Sequence, residues 1–239
     1  MSFSGEIKKE LAGRIGESRH CRLAELSAII VFAGKISALN GGISFRPESG
    51  NPMLKEKFAR LVSLLFSIDR EWETLQGDDV FKILEGVKLW DRQRGCFLNT
   101  ETADGLLIQQ SCCKRAYIRG AFLSSGSVSD PGKAYHFEIV CRTAAQSAQL
   151  QHAINSFDID ARIVPRKKNQ VVYVKEGAHI VDLLNVNSNT CQALLKARRD
   201  MPSAKEQFPL SAPEGSRSLC SFVSNGYLRS DGPQRLRSC

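Results

Sequence analysis

Two pairs of soft ligands lie 92 residues apart in this sequence: His20-Cys21 and Cys112-Cys113. Imidazole and thiolate are the ligands of structural zinc, which takes four of them in a tetrahedron. Adjacent residues seldom both reach one ion, and the same side chains also read as core or capping groups. The sequence therefore assigns the chain no metal and no cofactor, with this quartet as the single candidate cluster. A second group is basic: Arg162, Arg166, Lys167 and Lys168 fall on and beside a predicted hairpin turn. Guanidinium and ammonium groups on a ribbon suit phosphate contacts, and arginine also pairs with guanine edges. A solvated hairpin tip is the plain alternative. No Gly-rich phosphate loop follows a strand, and neither H-E-x-x-H nor G-x-S-x-G occurs. His136 and His152 read as packed or surface residues, not as catalytic bases.

Both ligand pairs sit at the start of a helical pattern. From Cys112 to Ser125, apolar and small residues recur at steps of three and four. Gly120 and Ser124 put two small side chains on one face, which lets another backbone approach. Gly126 follows the last periodic residue, where a left-handed cap would want glycine. The stretch from Arg22 to Ser37 has the same layout, with Gly34 matching Gly126 and Ala28 matching Gly120 at the same offset. This is the mark of an internal duplication. The expected helix-pair interface is Ala28, Gly34, Gly120, Ser124 and Gly126.

Around these helices the chain reads as α+β. Residues 2–14 suggest a short helix opened by Ser4. Asn40-Gly41-Gly42 predicts a hairpin between strands near 35–39 and 42–46, and Asn51-Pro52 opens a helix. Glu71–Thr74 and Val80–Leu84 suggest a second hairpin around Gly77-Asp78-Asp79, and 86–111 reads as a connector with one or two short helices. In the second half Asp130-Pro131-Gly132 is a turn signal, Tyr135–Cys141 a strand, and Ala144–Phe157 a helix with Ala148, His152 and Ile154 near its inner face. Ala161–Arg166 and Val171–Lys175 are strands, and Ala178–Leu184 begins a last helix. Each half then follows α-β-β-α-β-β-α, giving a pseudo-twofold duplicated fold with two antiparallel sheets. The divisions are 1–105, 106–186 and a tail at 187–239. The tail carries nine serines and four of the eight prolines and has no sustained apolar period. It reads as poorly ordered or as an altered reading frame.

Hydrophobic residues make up 42% of the 239, enough for a real core, and the net charge is +8. Residues 1–105 balance 15 basic against 15 acidic side chains, whereas 106–186 hold 10 and 6 and 187–239 hold 8 and 4. The basic surplus is thus downstream of the first repeat, which points to a polyanionic partner, nucleic acid first. No apolar run approaches the ~18 residues of a membrane span, and the first ten residues lack a signal-peptide centre. A cytoplasmic protein is expected, with free thiols, since the eight cysteines include no C-x-x-C pair.

The doubled unit resembles the LAGLIDADG homing-endonuclease fold. More closely, the chain is similar to the WhiA family of bacterial regulators of sporulation and cell division. The carrying segments are Glu17-Ser18-Arg19-His20-Cys21-Arg22-Leu23-Ala24-Glu25-Leu26, Phe32-Ala33-Gly34, Cys112 to Leu123, Ser127 to Pro131, and Tyr173 to Gly177. The resemblance covers about 1–186 and implies binding of double-stranded DNA at the nucleoid, transcription regulation, a link to chromosome segregation and division, and other transcription regulators as partners. Members continue into a C-terminal helix-turn-helix domain, and the tail after Val186 shows no such pattern. A nuclease of this fold needs a carboxylate just before the glycine of each helix, to hold divalent metal over the scissile phosphates. Ala33 and Ser125 occupy those positions, so a catalytically inactive scaffold is expected. Phe32 replaces the small residue that Ser124 provides, so asymmetric packing of the pair is expected too. Asp78 and Asp79, at the turn matching Arg166–Lys168, predict lopsided DNA contact. The alternative reading is a protein-interaction module of the same regulator with no DNA binding of its own.

Overall fold

The computed structural model describes residues 2–183 except 40–41, 48–49, 76, 130–135, 177–178 and 181–182. The Asp130-Pro131-Gly132 turn, the Asn40-Gly41 turn, most of the last helix and the whole tail lie outside the described residues. The order is α1 (Phe3–Gly13), α2 (Arg19–Ala33), β1 (Gly34–Leu39), β2 (Gly42–Pro47), α3 (Pro52–Phe66), a 3₁₀ turn (Trp72–Thr74), α4 (Asp78–Gly86), β3 (Trp90–Asp91) and β4 (Cys96–Phe97). A second 3₁₀ turn (Gly105–Ile108) leads to α5 (Ser111–Ser125), β5 (Gly126–Val128), β6 (Phe137–Cys141), α6 (Ala144–Asn155), β7 (Arg162–Arg166) and β8 (Asn169–Val174).

The duplication is visible residue for residue. Helices α2 and α5 are each 15 residues long, and each runs straight into a strand at its glycine. Every residue from Ala24 to Ala33 is buried, as is every residue from Ala116 to Leu123. A helix buried all round must lie at the centre of its domain. The two pack side by side and parallel: His20 meets Cys113 near their starts, and Glu25 meets Arg119 further along. Ala28 touches its own counterpart, since a Cβ added at Gly120 would lie 2.8 Å from Ala28 Cβ and 2.6 Å from the Glu25 carbonyl oxygen. Residues that touch their repeat partners lie on the axis relating the repeats. The expected asymmetry is present as well. Phe32 sets its ring edge-on to Tyr117 at 6.1 Å, while its counterpart Ser124 hydrogen-bonds back to the Gly120 carbonyl at 2.8 Å.

Gly34 and Gly126 do not form left-handed caps. Their φ values are −92° and −86°, ordinary extended backbone. Crowding explains the glycine at 126: a Cβ there would fall 2.3 Å from Phe122 Cδ2 and 2.8 Å from Phe122 Cα.

In the second repeat the strands form one antiparallel sheet in the order β5-β6-β8-β7. Phe137, Ile139, Cys141, Val172 and Val174 are buried on its inner face. Helix α6 buries Gln146, Ser147, Leu150, Ala153 and Ile154. Of the three residues expected inward, only Ile154 is buried; Ala148 and His152 are exposed. The first repeat departs further. Its described strands pair as two separate ribbons, β1-β2 and β3-β4. Glu71–Thr74 and Val80–Leu84 are not a hairpin but the 3₁₀ turn and α4. Val80, Ile83 and Leu84 are buried at helical spacing, and Asp78 and Asp79 stand in the first turn, where the helix dipole favours anions. The second hairpin is β3-β4, inside the expected connector, fixed by Trp90 against Phe81 and Phe97 at 5.4 and 5.0 Å.

Helix α1 is capped by the Ser2 hydroxyl, not by Ser4, and buries Ile7 and Leu11. Ser4 instead accepts the amide N–H of Val128 at 3.3 Å, and Lys8 lies over the Phe122 ring at 5.6 Å. The first helix of the chain thus rests on the second repeat. One core of buried residues runs from Ile7 to Leu183 and joins both repeats. Among the described residues, no helix is long and apolar enough to cross a membrane.

Candidate functional site

Ionic groups lie inside the helix seam. Arg119 on α5 donates through Nε and Nη2 to the two carboxylate oxygens of Glu25 on α2, at 2.8 and 2.6 Å. Lys57 of α3 places its ammonium 3.0 Å from Glu25 Oε1 and donates to the carbonyl oxygens of Leu11 and Arg14. Those carbonyls end α1, where the helix dipole and orphan acceptors favour a cation. Glu25 is fully buried and Lys57 is 1% exposed. Burial pulls the Lys57 pKa below its ordinary value, although Glu25 opposes that shift. For Arg119 burial works against the charge, but Glu25 outweighs it and the pKa is raised. Sequence reasoning missed this trio. Its one signal was a lone acid within the apolar run of α2.

At the far end of the pair, Ala33 is buried and offers no ligand atom. Ser125 is half-buried and commits its hydroxyl to the Val140 carbonyl at 2.8 Å. Arg142, from the segment between β6 and α6, donates to the carbonyls of Val31 and Gly34 at 2.7 and 2.8 Å, on either side of Ala33. Gln146 Nε2 adds a third bond, to Val31, at 3.1 Å. A guanidinium thus sits against the last turn of α2, where divalent-metal chemistry would need anionic oxygen.

The basic hairpin β7-β8 lies at the sheet edge. Lys167 and Lys168 form its two-residue turn, and Lys167 has the positive φ, 56°, that such turns take at their first central residue. All four predicted residues, Arg162, Arg166, Lys167 and Lys168, are exposed. They are not all unpartnered: Arg162 binds Asp160 at 2.9 Å, and Arg166 approaches Glu138 at 3.3 Å. The register sets Arg162, Tyr173 and Glu138 on one outer face. There an open groove of about 350 Å³ is lined by His136, Glu138, Arg166, Tyr173 and Lys175. His136 stacks on Tyr173 with centroids 6.1 Å apart, and Lys175 lies 5.4 Å from the same ring. Alternation along β6 and β8 would have shown Glu138 and Tyr173 sharing a face. In the first repeat, the turn of β3-β4 carries Arg92 and Arg94, both exposed. Asp91 Oδ1 accepts the amides of Gln93 and Arg94 at 2.9 and 3.1 Å, and Gly95 takes φ 61°. The expected acidic turn is therefore absent from this hairpin, and with it the basis for lopsided contact.

The soft-ligand quartet does come together. The ligand atoms of His20, Cys21, Cys112 and Cys113 all lie within 4.8 Å of one another, at the starts of α2 and α5. His20 Nδ1 is 3.1 Å from Cys113 Sγ, 3.4 Å from Cys21 Sγ and 3.9 Å from Cys112 Sγ. Burial, aided by the Cys112 thiol, raises the pKa values of Cys21 and Cys113.

Comparison with known proteins bears on this arrangement. The family model described as the WhiA LAGLIDADG-like domain matches residues 114–200. The "Probable cell division protein WhiA" of Lachnoclostridium phytofermentans is 40% identical over 202 residues, covering 78% of this chain and 64% of that protein. The protein of the same name from Lachnospira eligens is 36% identical over 201 residues, covering 78% and 63%. The chain thus spans less than two thirds of the length of these relatives. The crystal structure of full-length WhiA from Thermatoga maritima has a similar fold, with a TM-score of 0.60 at 21% identity over 83% of this chain and 66% of that one. The crystal structure of the N-terminal LAGLIDADG domain of WhiA gives 0.58 at 20% identity, over 81% and 96%. The helix pair, its flanking strands and the sequence similarity agree: residues 114–200 match the WhiA LAGLIDADG-like domain, and the chain is similar to WhiA proteins over 78% of its length.

Proposed function

We propose that the chain is the DNA-binding scaffold of a cell-division and sporulation regulator, acting on transcription in the cytoplasm at the nucleoid, without nuclease activity. The observation that carries this reading is the exposed basic hairpin Arg162–Lys168, backed by Lys175 on the outer sheet face. A two-stranded ribbon fits the major groove, and its cations take phosphates on either side. The hairpin of the first repeat, with Arg92 and Arg94, supplies a second basic ribbon. The name of the relatives supports the cell-division role.

The absence of cutting follows from Ala33 and Ser125. Neither side chain ionises, and the Arg142 guanidinium beside Ala33 opposes a divalent cation. Titration of fluorescent duplex DNA against salt tests the binding. Affinity at low salt that falls steeply as salt rises is the expected result. No affinity at any salt would reject it and leave a protein-interaction surface. Metal-dependent nicking of plasmid DNA that is lost with Ser125→Ala would reject the inactive scaffold.

A further inference from the structure

We propose that His20, Cys21, Cys112 and Cys113 form a structural zinc site that clamps the starts of the two central helices. Their ligand atoms already share a space no wider than 4.8 Å. A tetrahedral ion with Zn–S of about 2.3 Å and Zn–N of about 2.0 Å spaces its ligands about 3.5–3.8 Å apart. The three distances from His20 Nδ1, 3.1, 3.4 and 3.9 Å, bracket that spacing.

Hydrogen bonding alone explains the cluster poorly. One ring nitrogen carries either one proton or one lone pair. It cannot satisfy three sulfur atoms at once, whereas a single ion among them can. The helices favour the charge this would create. Three thiolates and a neutral imidazole around Zn²⁺ carry one net negative charge, and the quartet lies in the first turns of both α2 and α5, at the positive ends of two dipoles. The ligand atoms of both adjacent pairs converge at one point, each pair carried by a different helix. His20 matches Cys112 and Cys21 matches Cys113 at the repeat offset, so each repeat supplies two ligands. Cys113 is buried while Cys21 and Cys112 are half-buried, which leaves a path for the ion.

The test uses the full chain, purified reduced and without chelator. Elemental analysis is expected to give one zinc per chain. Cobalt(II) replacement is expected to give the intense visible bands of a tetrahedral site with thiolate charge transfer. Both signals should persist when Cys96, Cys191, Cys220 and Cys239 are changed to serine, and should be lost in Cys21→Ser and Cys112→Ser proteins shown by circular dichroism to be folded. Zinc added to the stripped protein should raise Tm by at least about 5 °C. Folded, reduced protein with no stoichiometric zinc and no cobalt spectrum overturns the site. So does retention of both signals in the Cys21 and Cys112 variants, or a Cys21–Cys112 disulfide in protein that binds no metal once reduced.

Discussion

Arg119 grips Glu25 with two hydrogen bonds across 94 residues of sequence, inside the seam of the paired helices. The pair is out of water, so its worth lies in completeness. Removing one member strands the others. Arg119→Ala leaves a buried carboxylate with Lys57 as partner and is expected to cost roughly 3–5 kcal/mol. Glu25→Ala leaves two buried cations and should cost as much. Urea unfolding of both single variants and the double variant checks this; additive losses would mean that the pair is not coupled.

At Gly120 the two helices approach closely. Alanine ordinarily helps a helix by about 1 kcal/mol over glycine. Here its methyl would meet the Glu25 carbonyl oxygen at 2.6 Å, and backbone cannot step aside. Gly120→Ala should therefore lower stability by about 1–3 kcal/mol, read as a lower urea midpoint at constant m.

The two hairpin turns should contribute alike to DNA binding. Changing Arg166, Lys167 and Lys168 to alanine should flatten the salt dependence by about one unit of slope for each phosphate that is no longer neutralised. Arg92→Ala with Arg94→Ala should flatten it by about two units on the same basis. An unchanged slope in the first variant would remove β7-β8 from the interface. An unchanged slope in the second would restore lopsided contact.

Burial pushes the Cys141 thiol up to about 12 from an ordinary 9.0. The unfolded chain loses this proton near pH 9, while the folded one holds it. Between those values the folded state binds more protons, so stability is fully present below pH 9 and falls as pH rises towards 12. The loss by pH 12 is on the order of 4 kcal/mol. Urea unfolding of wild type and Cys141→Ala across that range should show the wild type losing the more stability. In native protein at pH 8, Cys141 should resist alkylation while the exposed Cys96 reacts.

What the sequence makes legible is local or repeated. The spacing of small residues around Ala28 and Gly120, taken twice at one offset, is enough to place the two central helices together. The basic hairpin is legible because polar Arg166–Gln170 interrupts two apolar runs. Hairpin β3-β4 is not, because strands of two residues leave no alternation to read. Helix α4 reads as a strand because Val80–Leu84 is a short apolar run, and such runs look alike in both states. The Glu25–Lys57–Arg119 trio depends on three helices meeting, which no local pattern encodes. Gly126 stands out in the sequence as a position for handedness, whereas the cause is the Phe122 ring behind it.

The bond from Val128 to Ser4 spans 124 residues and joins the first helix of the chain to a strand of the second repeat. During synthesis, α1 leaves the ribosome long before its latch exists. Until α5 and β5 follow, Lys8 lacks the Phe122 ring and Ser4 lacks the Val128 amide. The clasp between the start of the chain and the second repeat closes only once both have been made, and a chain halted before Val128 lacks it.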